Sequence, residues 1–251
     1  LRLVGSEMCI RDRDNHIASL PKGGQDAIGS QWAAGDIMYK DLNGDGKISK
    51  GASTWDDHGD LKILGDSNPH YFYGIDLTAN YKGFDFRCFL QGVLKHDFWP
   101  GGSSYFWGVR GGYSKWYTIG LEQHNNYFRD QPIGLAGYEL PVNLDSYYPR
   151  PITSPDSGGS SFGAKNQQTQ SRYMQNAGYM RLKNLQLGYS LPKSVVEKVG
   201  ISNCRVFVSG ENLLTFTSLS SIFDPETCVG GWGGNAYPLS STWSFGLSVT
   251  F

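Results

Sequence analysis

The sequence predicts an all-β fold in which antiparallel strands form part of a transmembrane β-barrel. Three observations carry the prediction. First, residues 243–251 alternate strictly, with Trp243, Phe245, Leu247, Val249 and Phe251 set against Ser244, Gly246, Ser248 and Thr250. A period of two makes one strand face apolar and the other small and polar. A membrane barrel turns the apolar face to lipid and the polar face to its lumen, so the five apolar residues are expected to face lipid. Second, the same alternation recurs upstream, in segments close to the roughly 9–11 residues a barrel strand needs. Third, long and short connections fall on opposite sides, as in barrels with short periplasmic turns and long external loops.

Taken in chain order, the elements read as follows. Residues 1–13 (LRLVGSEMCIRDR) resemble translated sequencing-adapter DNA and are expected to be a non-native artefact. Their position suggests that a signal peptide and upstream domains are missing, leaving 14–251 as the native barrel portion. Asp41-Leu-Asn43-Gly-Asp45-Gly46-Lys47-Ile48-Ser49 matches the first nine positions of an EF-hand-like calcium loop. Side-chain oxygens of Asp41, Asn43 and Asp45 and the carbonyl of Lys47 would converge on a structural Ca2+. Ala52 stands where a bidentate Glu is needed, so Asp56, Asp57 or Asp60 would have to replace it. The competing reading is an Asx-rich turn without an ion.

A hairpin follows. Tyr71, Tyr73, Ile75 and Leu77 alternate with Gly74, Asp76 and Thr78; Lys82-Gly83 turns; Phe84, Phe86, Cys88 and Leu90 return. From Val93 to Gly178 the chain is rich in Gly, Ser, Trp and Tyr, too long for a bare loop in a compact domain. Next, Leu185, Leu187, Tyr189 and Leu191 alternate up to Pro192, whereas Met180 and Leu182 are apolar at even positions. A β-bulge near Lys183 would reconcile the two parities. The link 193–203 has room for a helical turn, and a strand spans about 204–215. A glycine-rich loop, 216–241, leads to the final strand. Trp99, Trp107, Trp116, Tyr117 and Trp232 lie in the long glycine-rich segments and are candidates to contact a substrate or partner, with mutual packing as the competing reading.

Composition narrows the function. Basic and acidic residues nearly balance at 22 and 23, so no nucleic-acid partner is implied. Setting Cys9 aside, Cys88, Cys204 and Cys228 form neither a C-x-x-C pair nor a disulfide framework, and Cys88 and Cys204 read as small apolar strand residues. The chain has no H-E-x-x-H, G-x-S-x-G or P-loop, and no enzyme is expected. The alternative to a barrel is a secreted soluble β-sandwich that binds calcium and carbohydrate.

Several segments then carry a family resemblance. Gly35-Asp36-Ile37-Met38-Tyr39-Lys40-Asp41-Leu42-Asn43-Gly44-Asp45-Gly46-Lys47-Ile48 resembles a segment of SusC/RagA-type TonB-dependent outer-membrane transporters. So do Gly59-Asp60 through Gly65, Tyr81 through Asp85, Met180 through Pro192, Ser209 through Thr215, and Asp224-Pro225-Glu226. The resemblance covers about residues 14–251 and corresponds to the C-terminal end of that family. It implies about five strands of a roughly 22-stranded barrel in the outer membrane of a Gram-negative bacterium. It also implies a TonB complex acting through the missing N-terminal region, a SusD-like surface lipoprotein over the mouth, and a glycan or peptide as substrate. In its terms Asp60 is the first choice for the absent calcium ligand.

Overall fold

The computed structural model describes residues 2–5, 8–10, 24–29, 32–101, 103–108, 120–135, 137–152, 165–229 and 236–251, with the side chains of the first two stretches left aside. The chain forms two compact units. One comprises Asn68–Asp97, Asn176–Cys228 and Ala236–Phe251; the other comprises Leu1–Ser67, Phe98–Gln175 and Val229–Asn235. Among the described residues no helix is long and apolar enough to cross a membrane, which says nothing about strands.

The first unit is a five-stranded antiparallel sheet in the order β13-β12-β11-β6-β5. Its strands are β5 (His70–Tyr81), β6 (Phe84–Lys95), β11 (Tyr179–Ser190), β12 (Asn203–Thr217) and β13 (Thr242–Thr250). Each contains one of the alternating segments of the sequence. Between β5 and β6, Lys82 and Gly83 both have positive φ, 46° and 90°, the conformation of a two-residue hairpin turn that matches strand twist. Between β11 and β12, Lys193–Val196 forms one α-helical turn (α2), followed by a 3-10 turn over Glu197–Val199 and Gly200 at φ 75°. The two short links join strands at one end of the sheet, and the long connections leave from the other.

The bulge is where the parity slip placed it. Leu182 pairs with Leu90 and Asn184 with Phe89, leaving Lys183 as the extra residue. A second irregularity lies opposite, in β12, where Leu214 pairs with Leu182 and Glu211 with Asn184. Asn212, inside that skip, has φ 52°, and its carbonyl accepts a hydrogen bond from the Ser241 hydroxyl at 2.7 Å.

The other unit is assembled from short ribbons and turns. β3 (Ile37–Tyr39) pairs with β2 (Met8–Ile10), and β4 (Lys62–Asp66) with β1 (Arg2–Gly5). The segment expected to be non-native therefore runs as two edge strands. The stretch from Val93 to Gly178 is not a bare loop. It contains the end of β6, β7 (Asp97–Phe98), α1 (Ser104–Trp107), the hairpin β8–β9 (Ile133–Leu135, Tyr138–Leu140) and β10 (Gln175–Asn176). A polar knot ties this unit together. Asp36, fully buried, takes Lys165 at 2.7 Å, Arg150 at 3.0 Å and the Asn166 amide at 2.9 Å. Tyr39, deep in the same core, hydrogen-bonds the Lys165 carbonyl, and burial pushes its phenol far above the ordinary range.

Candidate functional site

Register gives the sheet two chemically distinct faces. On one, successive rungs read Tyr81–Phe84–Tyr189–Val206–Leu247, then Ala79–Phe86–Leu187–Val208–Phe245, then Leu77–Cys88–Leu185–Gly210–Trp243. Beyond the bulge the face continues as Ile75–Leu90–Leu182–Leu214 and Tyr73–Gly92–Met180–Phe216. The bulge at Lys183 is what keeps Met180 and Leu182 on the same side as Leu185 and Leu187. This face is apolar throughout and largely uncovered: Phe245 is 84% exposed, Leu247 65% and Trp243 58%. Val249 is half-buried, and Phe251 lies just past the last paired residue. The Phe84 and Tyr189 rings meet at 4.5 Å between centroids. Cys88 and Cys204 sit on this face as half-buried free thiols, as their spacing suggested.

The opposite face carries paired charges and small residues, with Phe72, Phe89 and Phe207 among them. Arg87 on β6 reaches Asp76 on β5 at 2.7 Å. Arg205 on β12 reaches across β11 to Asp85 on β6, with its Nε donating at 2.8 Å. The pair lies over Gly188: a Cβ there would stand 2.4 Å from Asp85 Oδ1 and 2.6 Å from Arg205 Nη2. The Arg205 guanidinium also rests 4.8 Å from the Phe207 ring centre, and that ring occupies the space above Gly246. Two glycines in the polar half of the alternation thus leave room for side chains that span neighbouring strands.

Farther along this face Arg181 centres a cluster of five side chains. It donates to Thr215 Oγ1 at 2.7 Å, to Glu226 at 2.7 Å and to Asp224 at 2.6 Å, while Lys183 reaches Glu226 at 3.0 Å. Burial alone would raise the Asp224 carboxyl, but the Arg181 hydrogen bond and charge and the amides of Glu226 and Leu239 outweigh it. Their sum holds the group below the ordinary carboxylate range. Nothing in the sequence pairs Asp224 and Glu226 with Arg181, which lies 43 and 45 residues away.

The loop aromatics divide. Trp107 is buried, its indole N–H donating to the Gly101 carbonyl at 2.6 Å, and it packs edge-on against Phe106, Tyr173 and Trp99. Trp107 is thus placed within the mutual packing of the loop aromatics. Trp99 is half-buried beside it. Tyr147, Tyr148 and Tyr173 complete the cluster, and burial raises all three phenols. Trp116, Tyr117 and Trp232 lie outside the described residues.

The calcium-like loop is braced by its own backbone. Asp41 accepts hydrogen bonds from the amides of Gly44 at 2.6 Å and Gly46 at 2.8 Å; Asn43 accepts from Asp45, and Asp45 from Lys47. Asp60, fully buried, accepts the amides of Leu42 at 2.7 Å and Ser49 at 2.8 Å, one on each side of the loop. Among the described residues no three His, Cys, Asp or Glu side chains come together as a metal centre. Asp60 is a strut that closes the loop through main-chain hydrogen bonds from both sides, and a structural Ca2+ on Asp41, Asn43, Asp45, the Lys47 carbonyl and Asp60 is a proposal for this loop.

No protein-family model matches the chain. Over 93% of its length it is 29% identical to TonB-dependent receptor P3 of Formosa agariphila, and over 86% it is 27% identical to TonB-dependent receptor P26 of the same organism. The chain spans 20% of each of these relatives. Its fold is that of part of the RagAB peptide transporter, with a TM-score of 0.62 at 21% identity over the whole chain and 23% of that structure. The same transporter in an "open-open" state gives a TM-score of 0.59. An antiparallel sheet with one apolar and one charge-paired face thus belongs to a chain that is similar along nearly all its length to part of TonB-dependent receptors and has the fold of part of the RagAB transporter.

Proposed function

We propose that the chain forms part of the wall of an outer-membrane importer in a Gram-negative bacterium. The apolar face meets lipid and the charge-paired face lines the lumen. The observation that carries this reading is the unbroken apolar surface across all five strands. A sandwich needs a second layer over such a surface, and the described residues supply none. In lipid the ladders between the paired strands satisfy the backbone along most of the five-stranded span. The end of the sheet bearing the Lys82-Gly83 turn and α2 faces the periplasm, and the end with long connections faces outside.

Five strands close no barrel, so transport belongs to a longer protein of which this wall is a part. In that protein TonB supplies the energy, a SusD-like lipoprotein covers the mouth, and the cargo is a glycan or a peptide. The similarity to TonB-dependent receptors supports the first of these, the RagAB peptide transporter's fold is in keeping with a peptide cargo, and the lid and the glycan alternative rest on the resemblance of the sequence segments. The test is depth-resolved labelling of the complete receptor in liposomes. A nitroxide at position 247 should be quenched by a lipid-soluble relaxation agent, and one at position 244 by a water-soluble one. The reverse pattern would refute the assignment of faces. Import that survives collapse of the proton-motive force would refute TonB energisation.

A further inference from the structure

We propose that Leu219–Cys228, the first part of the connection between β12 and β13, is a latch folded into the lumen, where Arg181 and Lys183 hold it to the inner wall and narrow the passage. The inference rests on the barrel reading for the word lumen, and on separate observations for the latch.

Burial within the sheet is uneven. The non-glycine strand side chains that are buried are Val93, Tyr179 and Arg181. All three lie on the polar face, near the end from which the long connections leave. At the other end the same face is open, with Asp76 and Arg87 side chains 42% and 55% exposed. Something therefore covers the outer part of the inner wall, and the ion pairs identify it. Asp224 and Glu226 lie 43 and 45 residues beyond Arg181 in sequence, yet both bind its guanidinium.

The segment is also folded in itself. Asp224 Oδ1 accepts the Glu226 amide, Thr227 donates to the Asp224 carbonyl, and Phe223 donates to the Ser220 carbonyl. Leu219, Phe223 and Cys228 are buried. The charges match: two cations on the strand meet two anions on the segment. Release would break the ion pairs of Arg181 and Lys183 together and return all of these charges to lumen water. The segment should therefore have a docked state and a released state with little between.

Cys228 is a built-in reporter, 1% exposed in the docked state. The experiment uses the complete receptor in outer-membrane vesicles, with a small charged methanethiosulfonate and, separately, a polyethylene-glycol maleimide too large to enter a barrel. Modified peptides are identified by mass spectrometry, and heat-modifiable gel migration confirms a folded barrel. In the unsubstituted receptor Cys228 should resist both reagents. Arg181→Gln with Lys183→Gln should speed its reaction with the small reagent by roughly tenfold or more, the scale expected for losing charge-assisted hydrogen bonds. Asp224→Asn with Glu226→Gln should do the same from the loop side, leaving the strand unaltered in case the first pair does not fold. The bulky reagent should stay excluded throughout. Rapid labelling of Cys228 in the unsubstituted receptor, or protection that survives both double substitutions, would overturn the latch. Reaction with the bulky reagent would overturn its place in the lumen. Labelling of Cys88 and Cys204 by the small reagent would instead mark failure of the lipid-facing assignment, and the latch would fall with it as a lumen device.

Discussion

Placing an arginine at position 247 separates a lipid-facing wall from a soluble sheet. β13 has nine residues. At about 3.3 Å per residue and a tilt near 40° it rises roughly 20 Å along the membrane normal, close to the ~25 Å apolar band of a barrel. Leu247 is one residue from the strand's centre, Gly246, and so lies within about 3 Å of the midplane by the same geometry. An arginine facing lipid there costs about 2–4 kcal/mol, falling toward zero near the interfaces. Leu247→Arg should therefore lower the folded-to-unfolded ratio by roughly a hundredfold, since each 1.4 kcal/mol is a factor of ten. The control belongs on the opposite face, and register decides which residue serves. Ser248 faces Arg205, so an arginine there would add like-charge repulsion; Ser244 faces Ser209, one rung from Glu211. Ser244→Arg should cost under about 1 kcal/mol. Reversible guanidinium unfolding of the full receptor in liposomes measures both. Equal costs at 247 and 244 would refute the two-faced wall.

Four further outcomes are expected. Gly246→Ala would set its Cβ 2.1 Å from Phe207 Cζ, an overpacking that should cost about 1–3 kcal/mol in the same unfolding assay and be largely relieved by Phe207→Leu. Asp60→Ala strands the part-buried amides of Leu42 and Ser49, at up to about 1–3 kcal/mol each, so hydrogen exchange across residues 41–60 should accelerate. Calcium chelation should also speed exchange in that loop, and exchange unchanged by chelation would remove the ion from the loop. The Asp224 carboxyl is held below its unfolded value, so its stabilisation is present above that unfolded value, near 3.9, and fades as pH falls through the folded one. The melting difference between the unsubstituted receptor and Asp224→Asn should persist from pH 7 to about 4 and shrink below it.

What the sequence disclosed and what it hid follow from period-two geometry. In β11 one extra residue, Lys183, flips the parity of everything after it, and the slip from Leu182 to Leu185 was visible as such. In β12 the register skips two residues, Asn212 and Leu213. An even skip leaves Val206, Val208, Leu214 and Phe216 all on even positions, so that irregularity left no trace. The Lys82-Gly83 turn was legible because its residues are adjacent and its geometry is local. Arg181 and Asp224 were not, since a pair 43 residues apart has no short-range signature. Trp107 shows the same limit from the other side. An aromatic residue among glycines looks free until Tyr173, far along the chain, is placed against it. The acidic loop was half legible: its Asx turns were encoded locally, while the use of Asp60 as a main-chain strut required the fold.

The crossing of Asp85 and Arg205 above Gly188 constrains how such a wall can diverge. A side chain at 188 cannot be accepted while both partners keep their present length, so the order of substitution matters. Shortening or neutralising Arg205 first opens the space and leaves the strands paired; a residue larger than glycine can then enter at 188. The reverse order passes through a clashing intermediate. Lineages that have lost the guanidinium should therefore be those in which position 188 varies, and swapping single residues between relatives should fail where swapping the three positions together succeeds.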